Sequence, residues 1–226
     1  MLFENRRLTV CFRNFYRNKM VNLSAKSIRH FMPKANIFCV SLYKETYEEY
    51  KDQEPLDKSI VSITAKTKYV NKNPDAVHDH VDTTKTSGYA HPDNGLWFSE
   101  GYNMIFNIFK QYDEPVVMLS EDHFFTTGAV LREITENEYD IAYASGDRGI
   151  NANGSLLVIN PQKVSHLFPL PEVRLPVEAL LEQHLVSQVE NRYSIKHRKW
   201  IDYCGDGIYT NSSEDMIREM KAAGII

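Results

Sequence analysis

Leu8-Thr-Val-Cys-Phe12, an apolar and β-rich run, is followed by a polar stretch, Arg13–Asn18, that predicts a loop, then by a helical pattern and by a second apolar run, Asn36-Ile-Phe-Cys-Val40. The segment between them, Met20–Phe31, carries apolar residues at helical spacing, and Pro33 ends it. A strand, a helix and a second strand in this order form a unit whose strands pair in parallel through a right-handed crossover. The start of the chain therefore predicts a parallel α/β sheet.

Strand and helix patterns continue to alternate along the rest of the chain. Further strands are predicted at Ile60–Val70, Pro115–Leu119, Asp140–Ala144, Ser155–Ile159 and Lys199–Asp202. Helices are predicted at residues 44–58, from Asn94-Gly95 to Phe109, and at Thr127–Ile134, Pro161–Phe168, Val177–Val189 and Ser213–Ala223, with loops at 71–94 and 145–154. This order favours one α/β domain with a central, mostly parallel mixed sheet flanked by helices.

The composition is that of an ordinary soluble globular domain. With 42% hydrophobic and 25% charged residues in 226, the chain is neither disordered nor of low complexity. A formal charge of −4 and a pI near 6.1 argue against a dedicated nucleic-acid binder. No signal peptide and no apolar run of the roughly 20 residues that a membrane span needs are visible. Cys11, Cys39 and Cys204 make no disulfide framework, which predicts reduced thiols and a cytoplasmic protein.

The strand Val116-Val-Met-Leu119 leads directly into Ser-Glu-Asp-His123, so that two acids and a histidine follow an apolar strand. Ligands bind at the carboxyl ends of strands in open α/β sheets. Two carboxylates at that place repel each other unless a cation is bound, and Mg²⁺ prefers carboxylate and phosphate oxygens. The alternative interpretation is a solvated strand end, whose acids only begin the next helix, where the helix dipole favours them.

The segment Leu119-Ser-Glu-Asp-His-Phe124 resembles the Asp-x-Asp signature of GT-A glycosyltransferases, in its Glu-Asp-His variants. It is most similar to the Leu-Glu-Glu-Asp-His-Tyr stretch of some N-acetylglucosaminyltransferases, with Ser120 in the place of one acid. The resemblance implies a GT-A-like, Rossmann-like domain in which Asp122 holds Mn²⁺ or Mg²⁺. Glu121 would assist at the metal or contact the sugar of the nucleotide, and His123 is a further candidate ligand.

Other segments resemble the same family in the same order, over about residues 8 to 207. Leu8–Asn14 and Ile37–Ser41 resemble the unit that receives the nucleotide base, and Asn94-Gly95 with Asn103 resembles the helix before the metal motif. Nucleotide contacts are therefore implied at Phe12, Arg13, Asn14, Ser41, Asn94, Gly95, Asn103 and Glu121.

The later part of the chain resembles the acceptor side of these enzymes. Asn153–Ile159 followed by Pro169–Glu178 implies that Glu178, at a predicted helix start, is the catalytic base, with Glu182 as its substitute. A third metal ligand is implied at Asp206 in Cys-Gly-Asp-Gly, with His197 as a weaker candidate. For the glutamates the alternative is an ordinary helix acid, and for Asp206 it is turn chemistry.

The resemblance implies an enzyme that moves a sugar from a nucleotide diphosphate, by expectation a UDP-sugar, to a hydroxyl of a carbohydrate or glycoconjugate, with inversion. Residues 1–125 would form the nucleotide-sugar half and residues 126–226 the acceptor half of one domain, which stands alone or within a longer protein. A nucleotidyltransferase and a non-catalytic sugar-nucleotide-binding module remain as alternatives. A zinc hydrolase carried by His78-Asp-His80-Val-Asp82 is disfavoured, because the preceding residues are typical of a loop and not of a strand.

Overall fold

The structure, a computed structural model, describes residues 7–14, 17–43, 54–66, 92–145, 152–172, 183–195 and 213–226. The strands are β1 (Thr9–Asn14), β2 (Asn36–Tyr43), β3 (Val61–Lys66), β4 (Val116–Ser120), β5 (Ile141–Ser145), β6 (Ala152–Ile159) and β7 (Arg192–Ile195). The α-helices are α1 (Asn18–Phe31), α2 (Pro92–Phe109), α3 (Ala129–Glu136) and α4 (Ser213–Ala222), and short 3-10 helices lie at Ser165–Leu167 and Val186–Gln188.

The described strands form one sheet of seven in the order β3-β2-β1-β4-β6-β5-β7. β1 pairs in parallel with both β2 and β4, β2 with β3, and β5 with β7, whereas β6 runs antiparallel to β4 and β5. The predicted α/β class with a mostly parallel mixed sheet is confirmed. After β1 the chain builds β2 and β3 on one side of it and β4 on the other, so the strand order reverses between β1 and β4. Such a reversal is where open α/β sheets bind ligands.

Side chains alternate between the two faces of the sheet along each strand, and both faces are buried under helices. One face, which includes Val10 of β1 and Leu119 of β4, packs against Val21, Ala25 and Ile28 of α1 and against the apolar stripe of α3. The other face packs against Tyr102, Ile105, Phe106 and Phe109 of α2. Apolar side chains on two faces suit a strand covered by helices on both sides.

A third cluster joins the C-terminal helix to the start of α1. Met216 and Met220 of α4 and Ile225 pack with Met20 of α1 and with Phe124, which follows β4 by four residues. Lys19 and Glu214 form an exposed ion pair of 3.2 Å at the first turns of the two helices. The cluster fixes Phe124 and, with it, the chain beside the predicted metal motif. In the described part of the chain, no helix has both the length and the apolarity to cross a bilayer.

Several predicted boundaries are corrected. Arg13 and Asn14, predicted as loop, extend β1, because they pair with β2 and Arg13 also pairs with β4. α2 begins at Pro92, ahead of the predicted Asn94, and proline is well suited to a first helical turn. Of the helix predicted at 44–58, residues 54–58 are described and are not helical.

The other corrections fall in the C-terminal half. The helix predicted at Pro161–Phe168 is turns followed by one 3-10 turn, Ser165–Leu167. Of the helix predicted at Val177–Val189, residues 183–184 are helical as predicted, but the end is a 3-10 turn, Val186–Gln188. β7 was missed because its four residues, Arg-Tyr-Ser-Ile, carry little apolar pattern and only Ile195 is buried. The strand predicted at Lys199–Asp202 lies outside the described residues.

Candidate functional site

Polar side chains gather where the three central parallel strands end. Arg13 of β1 is in register with Ser120 of β4, and Asn14 of β1 is in register with Ser41 of β2. Because parallel strands end at the same edge of a sheet, these four residues and the Glu121–His123 turn lie at one edge. That edge includes the reversal of strand order between β1 and β4, which makes it the candidate site.

Arg13 places a buried cation at this edge. Its residue exposure is 2%, its Nη2 donates a hydrogen bond of 2.8 Å to Ser120 Oγ, and its guanidinium lies 4.9 Å from the centre of the Tyr102 ring on α2. Stacking on an aromatic face and a fixed donor geometry are typical uses of arginine at anion sites. Ser120, which stands where the resembling motif has an acid, therefore acts as the acceptor that orients Arg13.

Asn14 organises the entry to α1. Its Oδ1 accepts a hydrogen bond from the backbone N–H of Arg17 at 2.8 Å. Its Nδ2 donates to Asn18 Oδ1 at 2.7 Å and to Ser41 Oγ at 3.2 Å. A side-chain amide that bonds to a backbone N–H at a helix entry stabilises the turn before the helix. These contacts assign Asn14 a structural role, and the predicted nucleotide contacts of Asn14 and Ser41 stay predictions.

Glu121 is the more buried of the two acids. The residue is 4% exposed, its Oε1 lies 3.8 Å from Arg17 Nε, and its Oε2 is buried without a hydrogen-bond partner among the described residues. Burial raises the pKa of Glu121 to about 7, and the positive charge of Arg17 opposes this rise. Arg17 therefore supplies a positive charge beside Glu121, whereas the sequence led us to expect such a charge from a bound metal alone.

Asp122 is held by the histidine that follows it. His123 Nδ1 lies 3.1 Å from Asp122 Oδ1, and the two side chains are 1% and 11% exposed. Burial opposes ionisation of Asp122, but the hydrogen bond and charge of His123, together with Arg17, outweigh it and lower the pKa of Asp122 to about 2. An ionised carboxylate can only accept, so Nδ1 carries the proton and donates it. Asp122 is thus an ionised and partly accessible carboxylate, orientated by a buried imidazole.

Two carboxylates at a ligand-binding edge suit a hard divalent cation. The buried, unbonded Oε2 of Glu121 and the accessible, ionised Asp122 are both oxygen donors of the right kind. The described residues contain no group of three or more His, Cys, Asp or Glu side chains placed to hold a metal. The third predicted ligand, Asp206, lies outside the described residues, and His123 supports Asp122 through the nitrogen nearest to it.

The remaining predicted site residues fall into four groups. Phe12 is fully buried between the sheet and α1, so its side chain packs in the core. Asn103 exchanges two hydrogen bonds with the backbone of Leu170, donating to the carbonyl at 3.1 Å and accepting from the N–H at 2.6 Å. Asn94 and Gly95 lie in the first turn of α2. Glu178, Glu182, His197 and the His78–Asp82 run lie outside the described residues.

Sequence reasoning missed three residues that shape this site. Arg17 belongs to the polar stretch that predicts a loop, and in the structure it faces Glu121. Ser24 and Ser27 occupy the buried face of α1 and bond to the chain that follows β4. The signal for the serines was present in the sequence, since a polar residue on the apolar face of a helix needs a buried partner.

No protein-family model and no curated protein sequence matches the chain. Among solved structures, it is similar to the glycosyltransferase GlyE of Streptococcus pneumoniae TIGR4. The apo form of GlyE aligns over 85% of this chain and 46% of its own, with 15% identity and a TM-score of 0.51. A second GlyE structure aligns over 95% and 52%, with 15% identity and a TM-score of 0.52.

The chain therefore spans about half the length of the GlyE chains that it matches. At this level of identity the similarity establishes the fold and nothing finer. It confirms the predicted fold, a glycosyltransferase-like α/β domain.

Proposed function

We propose that the protein is a metal-dependent glycosyltransferase that moves a sugar from a nucleotide diphosphate, by preference a UDP-sugar, to a hydroxyl acceptor. One observation carries the proposal: the carboxyl group of Asp122, held by His123, lies beside Glu121 at the edge where the strand order reverses. That arrangement occurs in a fold shared with a glycosyltransferase.

Asp122 and Glu121 would hold Mn²⁺ or Mg²⁺, together with Asp206 as the proposed third ligand. When bound, such an ion neutralises the charge that gathers on the diphosphate leaving group. The cations of Arg13 and Arg17 flank the same edge and favour an anionic ligand there. Arg13, Ser41 and the first turn of α2, with Asn94 and Gly95, are the proposed nucleotide contacts.

For the acceptor side, Glu178 is the proposed base that takes the proton from the acceptor hydroxyl, with Glu182 as its substitute. The proposal of inversion depends on this role, since a carboxylate base that activates the acceptor for direct attack inverts the sugar carbon. Its support is the family resemblance of the sequence. A carbohydrate or glycoconjugate acceptor follows from the same resemblance.

A cytoplasmic location is part of the proposal. Cys11 and Cys39 are free thiols in the structure, and free thiols are typical of reducing compartments.

The deciding experiment is a donor screen. The chain is incubated with Mn²⁺ and a panel of UDP-, GDP- and other nucleotide sugars, and release of the nucleoside diphosphate is measured. We expect hydrolysis of one donor class, its loss in excess EDTA, and its loss in Asp122→Ala with the fold intact by circular dichroism. Full activity of Asp122→Ala, or in EDTA, would refute the metal role.

The same screen separates the two alternatives. Metal-dependent binding of UDP by calorimetry without turnover of any donor would favour a non-catalytic sugar-nucleotide-binding module. Release of pyrophosphate from a nucleoside triphosphate and a sugar phosphate would favour a nucleotidyltransferase. The absence of a glycine-rich sequence directly after β1 argues against a nucleotidyltransferase.

A further inference from the structure

Helix α1 is tied to the chain after β4 by hydrogen bonds from two serines, Ser24 and Ser27, both with 0% exposure. Ser24 Oγ donates to the backbone carbonyl of Glu121 at 3.2 Å. Ser27 Oγ accepts from the backbone N–H of Phe125 at 3.0 Å and donates to the carbonyl of Ser24 at 2.7 Å.

These bonds hold the two ends of one short segment, residues 121–125. The carbonyl of Glu121 begins the segment and the N–H of Phe125 ends it, with Asp122 and His123 between them. The N–H of His123 bonds back to the carbonyl of Ser120, the residue just before the segment, at 3.2 Å, which forms a tight turn. The segment therefore cannot slide along the sheet edge without breaking a bond to α1.

The serines are not needed for packing alone. Val21, Ala25 and Ile28 already fill the same face of α1 with apolar side chains. Serine is a weaker helix former than alanine, and a buried hydroxyl is costly unless it is bonded. Phe124 and Phe125 anchor the end of the segment in apolar clusters, whereas its start carries the two carboxylates of Glu121 and Asp122. The bond from Ser24 to the Glu121 carbonyl restrains the backbone at that start, and the bond from Ser27 adds a restraint at the far end.

We propose that Ser24 and Ser27 are positioning residues for the reaction, which hold Asp122 and His123 in register with the carboxyl edge of the sheet. The proposal rests on the proposed function, because it assigns these residues to the same site. Both serines are fully buried, so they act through the backbone of Glu121 and Phe125 and not by contact with a substrate.

The test compares Ser24→Ala and Ser27→Ala with Ala25→Gly, a change in the same buried face of α1 that removes no side-chain hydrogen bond. Alanine should leave both serine positions helical, whereas glycine costs stability through the backbone. Stability is measured by urea denaturation, and donor hydrolysis gives kcat and KM.

We expect kcat to fall about tenfold in each serine variant with KM for the donor within about twofold of the wild-type value, since small misplacements at a reacting site are costly. Ala25→Gly should lose stability and keep kcat. An unchanged kcat in both serine variants, or an equal fall in Ala25→Gly, would overturn the proposal. Either serine variant suffices if the other fails to fold.

A second measurement separates this proposal from the proposed function. Absence of turnover in the wild type would refute the function and, with it, a positioning role in that reaction. Amide hydrogen exchange then decides whether α1 restrains the segment at all. The Phe125 amide should exchange about tenfold faster in Ser27→Ala than in Ala25→Gly, and equal exchange would also refute the restraint.

Discussion

His123 supports Asp122 through a contact of 3.1 Å between Nδ1 and Oδ1, and the imidazole is 1% exposed while the carboxylate is 11% exposed. The pair is thus ordered from inside to outside: a buried ring orientates a carboxylate that a ligand can reach. Loss of a group that hydrogen-bonds to a metal ligand typically costs 10- to 100-fold in metal affinity or activity. The sequence predicted His123 as a ligand, which stays a prediction, and the structure adds a supporting contact with Asp122.

The first prediction concerns this support. His123→Gln removes the Nδ1 donor, so Asp122 should lose its fixed orientation and part of its lowered pKa. We expect a 10- to 100-fold weaker response of donor hydrolysis to Mn²⁺, on the order found for partners of metal ligands. The measurement is turnover as a function of Mn²⁺ concentration. The matched control is His166→Gln, which changes an exposed histidine on the 3-10 turn Ser165–Leu167. Its turnover should depend on Mn²⁺ concentration as in the wild type.

The second prediction concerns Glu121 and pH. Its pKa is about 4.5 in the unfolded chain and about 7 in the fold, because burial penalises the charged form. Between these values the folded protein keeps a proton that the unfolded chain has lost, so stability falls as pH rises through this window. The slope is on the order of 1.4 kcal/mol per pH unit at most.

Glu121→Gln should abolish that slope, since glutamine stays neutral. Urea denaturation at pH values below and above the window measures it, with Glu138→Gln at an exposed position as the control. The lowered pKa of Asp122 affects stability in a lower pH range. The stabilisation of the fold by the ionised Asp122 is complete above about pH 4 and is lost as the pH falls towards 2. A wild type with flat stability from pH 4.5 to 7 would contradict the raised pKa that burial gives Glu121.

The sequence was sufficient to predict most strands of the sheet, but not which side chains contact each other at its carboxyl edge. Runs such as Val116–Leu119 predict buried strands because period and composition are local properties. The partners of Glu121 are not local: Arg17 lies 104 positions earlier in the chain, and which loop residue faces which acid depends on register. β7 was not predicted for a related reason. An edge strand of four residues is stabilised by pairing with β5 and not by an apolar pattern in its own sequence.

The third prediction tests the burial of two thiols. Burial raises the pKa of Cys11 well above its ordinary value, with Cys39 adding to the rise, and burial raises the pKa of Cys39 to about 12. Thiolates are the reactive form, so neither should react in the folded protein. In a Cys204→Ser background, Ellman's reagent at about pH 8 should label neither thiol until guanidinium unfolds the chain and exposes both. Fast labelling of the native protein would show that the β1–β2 core opens.

The fourth prediction separates two roles for Asn103. In the structure its amide exchanges two hydrogen bonds with the backbone of Leu170, which joins α2 to the chain beyond β6. Asn103→Ala leaves the Leu170 N–H and carbonyl without these partners, so the free energy of unfolding should fall by about 1–3 kcal/mol. Asn107→Ala, at an exposed position of the same helix, should change it by less than about 0.5 kcal/mol.

Donor kinetics complete the comparison. If Asn103 acts only through Leu170, the KM for the nucleotide sugar should stay within about twofold of the wild-type value in Asn103→Ala, because no contact with the donor is lost. A rise in KM of about tenfold with unchanged stability would instead assign the amide to the nucleotide, as the family resemblance implies. Since the two outcomes differ in both stability and KM, urea denaturation and initial-rate measurements on the same two variants decide between them.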